Sequence, residues 1–124
     1  MTRDFHDLPD AELAVLNELW DRGPATIRQL TDSLYPQGTG AHYATVQKLL
    51  ERLEAKGCVV RDRRALAHVF RADIDRDELI GKRLQAVAEK LCGGSLTPLL
   101  TNLVRSTRLT AKERRELRAL MEKL

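Results

Sequence analysis

Aromatic residues are scarce in this 124-residue chain, at 4% of the total. A core must therefore be built mainly from Leu, Val, Ile and Ala. Cysteine is scarce too. Cys58 and Cys92 stand 34 positions apart and match no metal-binding or redox spacing. Cys58 lies between Gly57 and Val59 and reads as a reduced core residue. A thiol switch would rest on two unpaired cysteines. Long apolar runs are missing, so neither a secretory signal nor a membrane-spanning helix is expected, and a cytoplasmic location follows by default. Catalytic patterns are missing as well. His6, His42 and His68 never pair at i, i+4, and there is no H-E-x-x-H, G-x-S-x-G or P-loop. Gly38-Thr39-Gly40 lacks the downstream Gly-Lys-Ser/Thr that cradles a phosphate. Glu51 and Glu54 read as the solvated side of a helix. No catalytic residue, metal or cofactor is expected.

What the chain does have is charge, unevenly placed. Charged residues make up 31% and hydrophobic ones 43%, a globular balance with a formal net charge of +3. Residues 1–32 carry three basic and seven acidic side chains, whereas residues 42–71 carry seven basic and three acidic ones. That shift reads either as a mixed, solvated surface or as a localised anion-binding surface in the middle of the chain.

Periodicity orders the elements. "DAELAVLNELWDR" (10–22) is an amphipathic helix with Leu13, Leu16, Leu19 and Trp20 on one side, closed by Gly23-Pro24. Trp20 continues the apolar stripe and reads as a core anchor. A short second helix starts at Thr26, where Gln29 completes a capping box, and turns Ile27, Leu30 and Leu34 inward. "YPQGTGA" is a loop. The third helix is about 14 residues, roughly 21 Å long, and ends at Gly57 as a C′ glycine. Val59 and Val60 start a strand, "AHVFR" returns it, and Arg61, Arg63 and Arg64 lie on or near the turn. Helix, helix, helix, hairpin is the winged variant of helix-turn-helix, with the third helix entering the major groove. Thus the fold class is mostly α with a small β-wing: a winged helix-turn-helix domain plus a C-terminal helical arm.

At about 100° per residue, Val46, Leu49, Leu50 and Leu53 of the third helix point inward. Ala44, Gln47, Lys48 and Glu51 point outward, with Thr45 and Arg52 at the edges. Gln47 suits adenine, Lys48 guanine or phosphate, and Thr45 either role. His42 and Tyr43 share the polar first turn, and Thr26 and Arg28 flank it from the second helix. Arg61, Arg63 and Arg64 are the wing cations, for the backbone or the minor groove. Beyond residue 76 come three short amphipathic helices. Their apolar positions are Ile80, Leu84, Val87 and Leu91, then Leu99, Leu100, Leu103 and Val104, then Leu117, Leu120, Met121 and Leu124. Cys92-Gly93-Gly94-Ser95 breaks the first of them, and Thr110 with Glu113 caps the last. Such stripes either pair with a second copy or fold back on the first domain.

"DAELAVLNELW", "GPATIRQL", "HYATVQKLLERLEAKGCVVR", "VFRAD", "GGSLTPLLTNLV" and "LTAKERRELRALMEKL" follow one another in order. Over nearly its full length the chain resembles the penicillinase and methicillin-resistance repressors (the BlaI/MecI/CopY family). The resemblance implies a homodimeric winged-helix repressor of a palindromic operator, with residues 1–72 binding DNA and 73–124 dimerising. It further implies derepression by a membrane-bound zinc-protease sensor, through cleavage that would fall at Asn102–Leu103 here. Leu103 replaces the family's Phe, Ala44 and Lys48 stand where threonine is common, and Ala65-Leu66 replaces a Gly-Arg of the wing. No Cys-x-Cys pair of the copper-responsive branch is present. A winged-helix module that binds proteins rather than DNA is the alternative.

Overall fold

In the computed structural model, residues 8–106 and 108–123 are described; Leu124 of the expected apolar arm lies outside them. The chain divides into two compact units, residues 1–83 and 84–124.

In the first unit the α1 helix (Asp10–Arg22) is closed by Gly23 at φ 91°. Strand β1 (Ala25–Thr26) runs directly into helix α2 (Ile27–Leu34). Thr26 caps α2 with the reciprocal box its sequence predicts: Gln29 N–H donates to Thr26 Oγ1 at 3.1 Å, and Thr26 N–H donates to Gln29 Oε1 at 2.9 Å. Helix α3 (Gly40–Ala55) follows, then strands β2 (Val59–Asp62) and β3 (Val69–Ala72). Gly57, at φ 77°, adopts the left-handed turn that ends α3 and starts β2.

The sheet has three strands in the order β1-β3-β2, all antiparallel. The hairpin expected from sequence therefore gains a third strand. Two residues are too short to show a period-2 pattern, which is why β1 is invisible to periodicity. It ties the start of α2 to the wing through Ala25 opposite Phe70 and Thr26 opposite Val69.

The core of this unit is aliphatic, as the lack of aromatics requires. Leu16, Leu30, Val46, Leu50 and Leu53 are fully buried, and Phe70 is the one aromatic ring closed inside it among the described residues. Cys58 is buried among them. The stripe of α1 keeps Leu16 and Leu19 of the expected set in the core and adds Glu12 and Val15, whereas Leu13 and Trp20 are only partly buried against it. Trp20 packs at the edge because its indole N–H donates to the Ile74 carbonyl at 2.8 Å. Arg76 lies over the Trp20 ring at 5.1 Å and bonds Asp21 at 2.7 Å. These contacts, with buried Ile74 and Leu79, carry the first unit to residue 83, past the boundary expected at 72.

Glu12 is 2% exposed, and Lys56, just beyond the end of α3, reaches it at 2.6 Å. A buried carboxylate without its cation would remain desolvated and unpaired. Lys56→Met is expected to cost about 3 kcal/mol in urea unfolding. Glu12→Leu with Lys56→Met should restore most of the lost stability; a double variant as weak as the single one would contradict this account.

Helix α4 (Arg76–Cys92) enters the second unit, which also holds α5 (Thr97–Arg105) and α6 (Ala111–Glu122). Gly93 and Gly94, at φ 59° and 90°, terminate α4, and Gly94 N–H donates to the Ala88 carbonyl at 2.9 Å. Neither α5 nor α6 contains a buried residue among the described ones.

Candidate nucleic-acid interface

The α3 helix presents two faces. Val46, Leu49, Leu50 and Leu53 are buried, and Ala44, Thr45, Gln47, Lys48, Glu51 and Arg52 are exposed. Both sets match the helical wheel. Lys48 and Arg52 carry no ion pair among the described residues. Gln47 approaches Glu51 only at 3.5 Å, too far to fix its amide. The Thr45 hydroxyl donates back to the Ala41 carbonyl at 3.0 Å, so what it retains for a partner is acceptor capacity and a methyl group.

The start of α3 is tightly built. Ala41 N–H donates to Thr39 Oγ1 at 3.2 Å, and Thr39 N–H donates to His42 Nδ1 at 3.0 Å. The His42 ring also lies 4.5 Å from that of Tyr35. Thus one nitrogen of His42 is engaged in holding the helix start. A Cβ on Gly38 would sit 2.9 Å from the Tyr35 carbonyl oxygen, so only glycine fits this lead-in. Half-buried Tyr43 supports the exposed guanidinium of Arg28, 5.5 Å from its ring centre.

The expected wing cations behave differently from one another. Arg61 lies in β2 rather than on the turn. Its guanidinium bonds Glu54 at 3.1 Å, covers the Phe70 ring at 4.8 Å and approaches His68 Nδ1 at 3.4 Å. It is a structural clamp between α3 and the sheet as much as a cation. Arg64 is folded back onto Asp62: Nη2 and Nε donate to its carboxylate at 2.8 and 3.0 Å, and the Arg64 backbone N–H adds a bond of 2.9 Å. The Arg64 side-chain bond, and then its backbone N–H, lower the Asp62 pKa from 3.8 to about 2. Arg63 is exposed and makes no ion pair among the described residues.

An open groove of about 320 Å³ joins these parts. Thr26, Ile27 and Arg28 line it from the start of α2, Tyr43 and Gln47 from α3, and Arg61, Leu66, Ala67 and His68 from the wing. Leu66 and His68 were not expected here. Nothing in a single sequence marks which loop residues a hairpin turns toward a neighbouring helix. Asp62 was also missed, because pairing across two residues of a tight turn has no periodic signature.

An exposed polar helix face, flanked by the start of the preceding helix and by a hairpin, is the arrangement of a winged-helix DNA-binding domain. Residues 8–123 match the penicillinase repressor family. The chain is 36% identical over 99 residues to the transcriptional regulator BlaI of Mycobacterium tuberculosis, a stretch covering 78% of this chain and 71% of that protein. It is 24% identical over 115 residues to the penicillinase repressor of Bacillus licheniformis, covering 93% and 89% of the two. The chain belongs to the penicillinase repressor family, whose members are DNA-binding transcriptional repressors and not enzymes.

Because Asp62 both neutralises Arg64 and places a carboxylate at the wing, Asp62→Asn should tighten binding to duplex DNA. The slope of log K against log salt should steepen by about 0.9 if the freed Arg64 gains one phosphate. The depressed pKa leaves Asp62 ionised in neutral solution, so its part in the turn is lost only as pH falls from 3.8 toward about 2. Unchanged affinity and slope in Asp62→Asn would show that Arg64 stays off the DNA.

Proposed function

We propose that the chain is a homodimeric repressor that binds a palindromic operator in double-stranded promoter DNA. The observation that carries this is the exposed outward face of α3, with Ala44, Thr45, Gln47 and Lys48 beside a groove shared with the wing. In this reading Gln47 and Lys48 meet base edges. Thr26, Arg28, Tyr43, Arg52 and Arg63 hold the phosphate backbone, while His42 and Arg61 position the helix and the wing. The regulators named for penicillinase and for BlaI among its relatives support a role in a β-lactam or cell-envelope response. No helix of the described residues is long and apolar enough to cross a membrane, in keeping with action in the cytoplasm.

The apolar arm supplies the second copy. Ile80, Leu84, Val87 and Leu91 are 49, 48, 40 and 80% exposed, and Leu100, Leu103, Leu120 and Met121 are exposed too. Leu99 and Leu117 are half-buried beside them. Leu84, Leu96, Leu99, Leu100 and Leu103 line an apolar groove of about 510 Å³. An apolar groove of this kind left open to water is a mark of an interaction surface. A membrane-bound zinc-protease sensor would relieve repression by cutting Asn102–Leu103. That bond lies inside α5, where Asn102 Nδ2 donates to the Pro98 carbonyl at 3.0 Å, so α5 must open before it can be cut.

Selection from a randomised duplex pool should enrich an inverted repeat that the full chain binds saturably. With roughly six phosphates neutralised per dimer, log K against log salt should slope at about −5. Gln47→Ala should relax base preference, and Lys48→Ala should weaken binding. Enrichment of no sequence, with partner proteins still bound, would favour a protein-interaction module instead. Leu120→Asp should weaken the dimer by several kcal/mol, read as a shift toward monomer in sedimentation. An unchanged dimer mass would exclude Leu120 from the interface.

A further inference from the structure

The loop of residues 63–68 joins β2 to β3 at the tip of the wing. Its sequence is Arg63-Arg64-Ala65-Leu66-Ala67-His68. The Asp62 clamp bends Arg64 back toward the strand, with bonds of 2.8–3.2 Å from its side chain and 2.9 Å from its backbone N–H. Ala65, Leu66 and Ala67, the next three residues of the loop, are apolar and exposed, beside exposed Arg63 and an Arg64 engaged with Asp62. Leu66 is 107% exposed, the most exposed large hydrophobic side chain among the described residues. A lone exposed leucine is ordinary on a protein surface. This one sits at the tip of the wing and lines the groove that also holds Arg28, Tyr43 and Gln47. It therefore belongs to the side of the domain that carries the exposed face of α3.

Resting on the DNA-binding reading above, we propose that Leu66 is a specificity residue that enters the minor groove beside the operator half-site. There it reads A·T against G·C by apolar contact. The chemistry follows from the groove floor. An A·T pair offers acceptors only, whereas guanine projects its 2-amino donor into the minor groove. Leu66 set against that donor strips it of water and returns no hydrogen bond, which disfavours G·C. Against the floor of A·T steps the same side chain meets no donor to strip of water, and leucine is among the apolar residues that other proteins place in the minor groove. Arg63, exposed and unpaired among the described residues, holds the adjoining phosphates. Because Leu66 carries no charge, its contribution is independent of salt.

The test uses the full-length dimer and the duplex that it selects from a randomised pool. Flanking A·T pairs under the wing are replaced by G·C, or by inosine·C, which keeps the major-groove pattern of G·C but lacks the 2-amino group. Wild-type protein should lose about tenfold in affinity on G·C, a step of 1.4 kcal/mol, and almost nothing on inosine·C. Leu66→Ala should bind the A·T-flanked duplex about tenfold more weakly with an unchanged salt slope, and should no longer separate G·C from inosine·C. Leu66→Arg should steepen the slope by about 0.9 instead. Equal binding of G·C and inosine·C flanks by wild type, or discrimination that survives in Leu66→Ala, overturns this inference while leaving operator binding intact. Enrichment of no duplex at all overturns the DNA-binding reading and this inference with it.

Discussion

Everything at the candidate interface depends on one constraint: α3 is anchored along its whole inner face and has no freedom to roll. Val46, Leu50 and Leu53 are fully buried and Leu49 is 6% exposed, and each such side chain is worth about 1.5–3 kcal/mol relative to water. Rotating the helix by one residue would expose part of this stripe and bury Lys48 or Gln47. The outward face is therefore set by the inward one. Both ends are pinned as well, by the Thr39–His42 bond at the start and by the Glu12–Lys56 pair just past the finish. A reading helix must hold its side chains in one register against the bases, and the energy that does so resides in residues that would never touch DNA.

How much of this was legible in the sequence follows from the range over which each interaction acts. The α3 stripe, the Thr26–Gln29 and Thr110–Glu113 boxes and the Gly57 terminus are local patterns within about two helical turns, so their period and spacing announce them. Their geometry came out as read. The pairing of β1 with β3, the Trp20 bond to Ile74 and the Glu12–Lys56 pair join residues far apart in the chain, and a single sequence carries no trace of such meetings. Glu12 is the sharpest example. On a helical wheel it is one acidic residue among several on α1, and only the approach of Lys56 explains a carboxylate inside the core.

Charge was the least transferable quantity. Counting residues 42–71 makes the middle of the chain basic, yet the structure spends much of that charge internally. Lys56 answers Glu12, Arg61 answers Glu54 and Arg64 answers Asp62. Lys48, Arg52, Arg63 and Arg28 make no ion pair among the described residues, and they are spread over α2, α3 and the wing rather than massed. A surface of this kind relies on positioned contacts more than on bulk attraction, because few free cations release few counterions. It also gives uncharged groups such as Gln47 and Leu66 a larger share of any discrimination.

The second unit poses the opposite problem. The core cluster of the first unit ends at Leu79, and no residue of α5 or α6 among those described is buried. Helices of nine and twelve residues are marginal on their own in water. Caps and breakers define their ends but contribute no tertiary energy. In the proposed dimer, the apolar edges of these helices would meet a second copy of the same arm, a surface of matching length and polarity. Folding of the arm and association would then be a single equilibrium, and the arm's stability would rise with protomer concentration. An operator with two half-sites, as proposed, would add to that equilibrium by binding both protomers at once, each favouring the other by raising its effective concentration. Opening α5 at Asn102–Leu103 would act on the same balance, since whatever weakens the arm lowers the occupancy of a site that only the paired form can span.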